Sequence, residues 1–317
     1  MFSWRQVTGG LVWLGLLTPL MIYGSYSLRR PIREAIAPKP IFQGITYSRQ
    51  ITDQPRPQVT HIFEVDLTTP GVRPFTTPGY EGAEPNRQGT NGRETLARRT
   101  SEFLQTYNLQ LAVNANFFYP FGDETPWSYN PRSGEPINIS GLAMSDGELV
   151  SILRINRPAL CFMEQRAVIR HDGNCHNGTQ NAVAGNLMFL EDSELTNWDK
   201  YSKFPDWNNK RIVIEADKPY PFTVVALDKT GTRLWLVLAD GKQPLYAEGI
   251  TLREIATLVK ELGADRALRL DGGGSTSGAI ATSKGPKVIT IPVQAKVPGR
   301  ERPVANHLGF FAKPLDP

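Results

Sequence analysis

Six consecutive residues, Asp271-Gly272-Gly273-Gly274-Ser275-Thr276, hold the densest chemistry in the chain. Three glycines in a row permit backbone conformations, or an approach to a ligand, that a Cβ would block. Their amides suit an anion such as phosphate. Asp271 in front supplies a carboxylate for acid–base work, and Ser275 and Thr276 behind supply hydroxyls. Three familiar glycine motifs do not fit. A P-loop needs Lys before the Ser/Thr, and none stands there. A dinucleotide fingerprint needs glycine where Ser277 stands and a helix after it, whereas Gly278-Ala279-Ile280-Ala281 reads as extended. A nucleophile elbow needs glycine two positions after Ser275, which is again Ser277. The pattern reads as an anion cradle beside a carboxylate, the alternative being a tight turn without chemistry.

Two helix–strand units are placed to present such residues. In the first, Asn91 and Glu94 have capping-box spacing, and Leu96, Ala97, Phe103, Leu104 and Tyr107 recur at helical spacing. A short apolar strand, Leu109 to Val113, then runs into Asn114-Ala115-Asn116. In the second, Thr251 and Glu254 form a capping box, Ile255, Leu258, Val259 and Leu262 make the apolar stripe, and Gly263 ends the helix. Ala267 to Leu270 follows as a strand and runs into Asp271. The two strands are expected to lie side by side with their ends sharing one pocket. Further strands are expected at 59–67, 142–144, 149–155, 167–169, 222–227 and 233–239, the last two joined by a turn at Asp228-Lys229-Thr230-Gly231.

The 317 residues allow one large domain or two modest ones, and 25 prolines with 28 glycines favour many short strands. A net charge of +4 with no dense basic block gives nucleic-acid binding little support. Residues 9–26 carry no charge and read, with Met1 to Ser27, as a signal peptide or N-terminal membrane anchor. Arg29, Arg30 and Arg33 outnumber Arg5, which by the positive-inside rule favours the opposite orientation. Export is the preferred reading, because the only two cysteines, Cys161 and Cys175, are spaced as a disulfide in an exported protein. The alternative, a metal site from His171, Cys175 and His176, matches no standard zinc spacing. Residues 28–55 read as a basic, proline-containing linker entering a first strand, and 56–317 as the functional domain.

Gly249-Ile250-Thr251-Leu252, followed by Leu268-Arg269-Leu270-Asp271-Gly272-Gly273-Gly274-Ser275, resembles the signature of the phosphodiester glycosidase family. Other blocks follow in family order: Asn114-Ala115-Asn116-Phe117-Phe118, Ser145-Asp146-Gly147, Leu238-Ala239-Asp240-Gly241 and Arg302-Pro303-Val304-Ala305-Asn306. The resemblance covers most of residues 59–312. Three positions depart from the pattern: Phe222 stands where the family has Arg, Arg269 where it has Asn, and Asn116 where it has Gly.

The resemblance implies an exported hydrolase that cleaves a sugar-phosphate diester in envelope or extracellular glycans. It implies Asp271, Ser275, Arg302 and Asp240 as catalytic residues. Asn114, Asn116, Gly272, Gly273, Gly274 and Thr276 are expected to bind substrate or phosphate. Glu64 is a weaker candidate for a second carboxylate, and His307 reads as structural. No cofactor is required, and a divalent cation such as Ca²⁺ is compatible. The other functional reading is a non-catalytic glycan-binding or exopolysaccharide-assembly protein, which Phe222 favours. The expected fold is α+β: a mixed, mostly antiparallel sheet system with two main helices packed on it.

Overall fold

The computed structural model describes residues 30–81, 83, 93–120, 131–152, 157–198 and 215–315, with single residues at 18, 21, 24, 25 and 28. The expected leader therefore lies almost wholly outside the described residues, as does Asn91. Among the described residues no helix is long and apolar enough to cross a membrane.

Sheets dominate. The largest has eight strands, in the order 36–42, 45–52, 58–66, 233–239, 222–227, 266–269, 187–191 and 194–195. Its centre is the hairpin Phe222–Leu227 and Arg233–Ala239, paired from Phe222 with Ala239 to Leu227 with Leu234. The turn between them stands where Asp228 to Gly231 predicts it. The Asp228 carboxylate holds it by accepting from the amides of Thr232 and Arg233. Phe222–Leu227 is buried along its whole length, as a six-residue apolar run bounded by turns should be.

One face of this sheet is covered by the helix Leu252–Glu261, whose Leu252, Ile255, Ala256 and Val259 pack on Phe222, Val224, Ala226 and Val237. Burying the three larger helix side chains stabilises the fold by roughly 2 kcal/mol each. The predicted cap is present: Thr251 Oγ1 accepts from the Glu254 amide at 3.2 Å, and Glu254 accepts from the Thr251 amide at 2.7 Å. The other face packs against two five-stranded sheets. One runs 285–288, 278–282, 111–114, 307–311, 73–76, and the other runs 148–151, 143–145, 181–184, 159–163, 166–170. Phe63, Val225, Leu236 and Leu268 meet Leu111, Val113, Phe162 and Phe310 there.

Four expectations change. The fold keeps its antiparallel character and two helices among the described residues, but it is richer in sheet than a balanced α+β protein. The stretch read as a linker contains two strands, Ile36–Phe42 and Ile45–Thr52, built onto the eight-stranded sheet. Pro38 and Pro40 hid the first, because proline cannot donate to a ladder, but this strand is an edge. The first helix is only Thr100–Thr106. Glu94, expected in its cap, is buried and instead accepts from the Ile139 amide, while Leu96 lies on a two-residue strand. The strands ending at Asn114 and Arg269 do not lie side by side; they belong to different sheets and meet only at their ends. Cys161 and Cys175 form the expected disulfide, with Cα atoms 5.7 Å apart, which removes Cys175 as a metal ligand.

Candidate active site

Three strand ends build the site. Asp240 follows Arg233–Ala239, Pro221 precedes Phe222–Leu227, and Asp271 follows Arg266–Arg269 by two positions. Because the pairings are antiparallel, all three lie at one end of the large sheet. The five-stranded sheet adds Asn114 from the end of Leu111–Asn114.

The glycine loop is shaped by close approach. Gly273 has φ +66°, and a Cβ on it would collide with the Tyr220 hydroxyl. A Cβ on Gly272 would stand 2.7 Å from the Pro221 carbonyl. The Gly273 amide donates to that carbonyl at 2.9 Å, and the Gly272 amide donates to Asp271 Oδ1 at 2.9 Å. The amides of Ser275 and Thr276 bind the carbonyls of Gly272 and Gly273. Four of the amides around Gly274 are thus taken up inside the protein, so the loop is not the open amide cradle that its glycines suggest. The glycines are needed for packing against Tyr220 and Pro221.

Asp271 sits at the base of the site, 9% exposed. Burial pushes its carboxyl up to about 7; hydrogen bonds from Ser275 and the Gly272 amide, and the charges of Arg269 and Lys242, restrain the rise. Arg302 is buried and donates from Nη1 to Ser275 Oγ at 3.0 Å, and burial lowers its guanidinium to about 10. Asp271, Ser275 and Arg302 are therefore brought together. Asp240 stands apart from them across a narrow cleft that it lines with Gly241, Gly273, Thr276 and Ile291. The Thr276 hydroxyl is buried beside that cleft and has no hydrogen-bond partner among the described residues.

Asn114 and Asn116 are braces. The Asn114 amide donates to the Asp271 carbonyl at 2.7 Å, and its Oδ1 accepts from Thr223 Oγ1 at 2.7 Å and from the Ser277 amide at 3.1 Å. Asn116 Oδ1 accepts from the Ala184 amide and Asn306 Nδ2, and its own Nδ2 donates to the Leu142 carbonyl. Both are fully buried. Neither presents a free edge to a substrate, which corrects the binding role expected of them. Glu64 is turned to Arg233 and Trp235 Nε1, away from the loop. His307 stacks on Phe103 and is held neutral by burial.

Sequence reading missed the cationic rim. The Arg269 guanidinium lies over the Phe222 ring, 4.9 Å from its centroid. It forms no ion pair among the described residues, and its Nε has no hydrogen-bond partner there. Register explains the contact: Arg269 pairs with Val224, and Phe222 is the diagonal neighbour on the same face. Lys242 Nζ lies 4.6 Å from the Tyr220 ring centroid and 3.3 Å from its hydroxyl. Both cations act on Asp271. Among the described residues no three His, Cys, Asp or Glu side chains gather as a metal site.

Comparison with known proteins bears on this geometry. The phosphodiester glycosidase family profile matches residues 107–311. The fold is similar to the catalytic domain of zebrafish N-acetylglucosamine-1-phosphodiester alpha-N-acetylglucosaminidase, auto-inhibited by its pro-peptide. That match has TM-score 0.57 and 21% identity, covering 88% of this chain and 87% of that one. It is also similar to a hypothetical protein from Synechocystis, with TM-score 0.56 and 13% identity over 85% of this chain. This chain spans 62% of the Synechocystis chain. A third likeness is to a Burkholderia pseudomallei K96243 protein described as exported, with TM-score 0.51 and 14% identity, covering 80% of this chain and 74% of that one. Comparison with curated proteins returned no match. With the profile spanning well over half its length, from Tyr107 to Phe311, the chain belongs to the phosphodiester glycosidase family.

Proposed function

We propose that this protein is an exported hydrolase that breaks the bond between a sugar's anomeric carbon and a phosphodiester oxygen, in envelope or extracellular glycans. The carrying observation is a buried carboxyl, Asp271, lifted to about 7, with two cations, Arg269 and Lys242, acting on it from the rim. At neutral pH such a carboxyl holds a proton for a large part of the time and can donate it to a leaving oxygen. The cations suit the phosphate that this oxygen belongs to; an arginine offers it a paired set of donors. Arg269 thereby supplies a guanidinium on the face where Phe222 replaces the family's arginine. Arg302 acts through Ser275, which it orients toward Asp271. The disulfide supports an oxidising compartment outside the cytoplasm.

The test is sugar release from a panel of sugar 1-phosphodiesters, beginning with N-acetylglucosamine 1-phosphodiesters. The wild type should release free sugar, and Asp271→Asn should lose about 10²–10⁴-fold in kcat while staying folded. Arg269→Ala should raise KM for the phosphodiester and leave binding of the neutral sugar unchanged. Saturable glycan binding by a wild type that releases no sugar would replace the enzyme by a binding protein.

A further inference from the structure

A second cavity lies outside the candidate active site. Its volume is about 410 Å³, within the roughly 300–1,000 Å³ of small-molecule sites. Its polar lining is Arg99, Arg132, Ser133, Gln294, Arg300 and Glu301. No aromatic ring stands among the described residues that line it, so recognition there rests on charge and hydrogen bonds.

Three guanidiniums stand against one carboxylate, and that carboxylate is committed to the scaffold. Glu301 accepts from the amide and hydroxyl of Ser101 at 3.0 and 2.5 Å, and from the Ser277 hydroxyl at 3.1 Å. The nearby Glu102 is occupied in the same way, by Arg99 at 2.5 Å and by the Ser133 hydroxyl at 2.6 Å. Arg132 is exposed and forms no ion pair among the described residues. The cavity therefore keeps positive charge that the protein does not neutralise.

Gln294 is an independent observation. It is only 5% exposed. Its main-chain amide donates to the Arg300 carbonyl at 3.1 Å, but its side-chain carboxamide has no hydrogen-bond partner among the described residues. Leaving such a group unmatched costs about 1–3 kcal/mol, and a hydroxyl, which both donates and accepts, would match it. Successive strand residues point to opposite faces. Val293 lines the Asp240 cleft and Gln294 lines this cavity, so the hairpin of Val293–Gln294 and Val297–Pro298 stands between the two.

We propose that this cavity is a binding site for an acidic sugar, one that carries a carboxylate or a phosphate. Arg132 takes the oxyanion through its forked donors, with Arg99 and Arg300 adding charge, and Gln294 takes a sugar hydroxyl. The site holds an acidic unit of a glycan on the far side of the hairpin from the Asp240 cleft. It goes beyond the hydrolase reading and does not depend on it.

The experiment is isothermal titration calorimetry of the full chain with D-glucuronate, D-glucose 6-phosphate, D-glucose and inorganic phosphate. At least one of the two acidic sugars should bind at least tenfold more tightly than glucose and than inorganic phosphate, and its binding should weaken with added salt. Glucuronate as the tighter of the two identifies a carboxylate ligand, and glucose 6-phosphate a phosphate ligand. Arg132→Ala should weaken the acidic sugar about tenfold or more, and Gln294→Met about fivefold. Arg269→Ala separates this cavity from the rim of the active site and should leave the affinity unchanged. No binding of either acidic sugar, glucose or inorganic phosphate binding as tightly, or a loss of affinity in Arg269→Ala but not in Arg132→Ala would overturn the proposal. A wild type that binds the acidic sugar yet releases no sugar from any phosphodiester sinks the hydrolase reading and leaves this site standing.

Discussion

The side-chain amide of Asn114 donates to the main-chain carbonyl of Asp271 at 2.7 Å, and this bond joins two separate sheets at the candidate active site. The same side chain accepts from Thr223 and Ser277. Asn114→Ala should leave three buried groups without partners. Each costs about 1–3 kcal/mol, less what relaxation recovers, so a loss of about 2–4 kcal/mol is expected in urea unfolding. Turnover should fall as well, because the Asp271 backbone loses its anchor; full activity in a destabilised variant would show that the loop holds itself.

Stability should carry the titration of Asp271. An unfolded Asp loses its proton near pH 3.9, while burial lifts this one to about 7. Between those values the folded state holds a proton that the unfolded state has lost, so this contribution falls as pH rises from about 4 to about 7 and is flat above. Its size is about 4 kcal/mol at 1.36 kcal/mol per unit. His307 works in the opposite sense. Burial lowers it to about 3, so its contribution is lost as pH falls from about 6.5 toward 3. The comparison to make is therefore wild type against Asp271→Asn: the difference in unfolding free energy should grow with pH up to about 7. The rate kcat/KM should decline above about pH 7 as the proton leaves Asp271.

Gly274 also packs against Arg302. A Cβ there would collide with Arg302 Nη2 and stand 3.0 Å from the Val293 carbonyl. Gly274→Ala should push the guanidinium off Ser275 and cost about 1–3 kcal/mol by overpacking. Activity should fall further than stability alone explains. Thermal unfolding together with kcat on the folded protein separates the two.

The disulfide anchors the strand Ala159–Met163 to the loop beyond Arg166–Arg170. Replacing both cysteines by alanine should cost about 3 kcal/mol, the entropy of a loop this size. The sheet it staples does not supply the catalytic side chains, so kcat measured well below the melting temperature should stay at the wild-type value. A parallel loss of kcat would mean that this sheet shapes the site.

The parts of the site legible in the sequence are those written over short spans. Asp271, the glycines and Ser275 announce themselves within six residues, and the capped helix before them is spelled by Thr251 and Glu254. The charge at the rim is not legible. Arg269 lies 47 positions from Phe222, and only the register of two strands puts its guanidinium over that ring. The buried row in which the Tyr47 hydroxyl meets His61 and His61 meets Asp240 is hidden for the same reason, since its members come from different strands and one of them from a segment that reads as a linker. Asn114 and Asn116 mislead in the other direction. Their amides suggest sugar contacts, and burial against Thr223, Ala184 and Asn306 commits them to the scaffold.

The hairpin formed by Ile36–Phe42 and Ile45–Thr52 also has a bearing on how the protein behaves in solution. It covers the free side of Gln58–Asp66, a nine-residue strand that is almost entirely buried. Its own outer strand carries Pro38 and Pro40, which blunt it as a template for another chain. A chain cut back to residue 56 would end its large sheet on the bare edge of Gln58–Asp66. Such a protein would pair with copies of itself and aggregate.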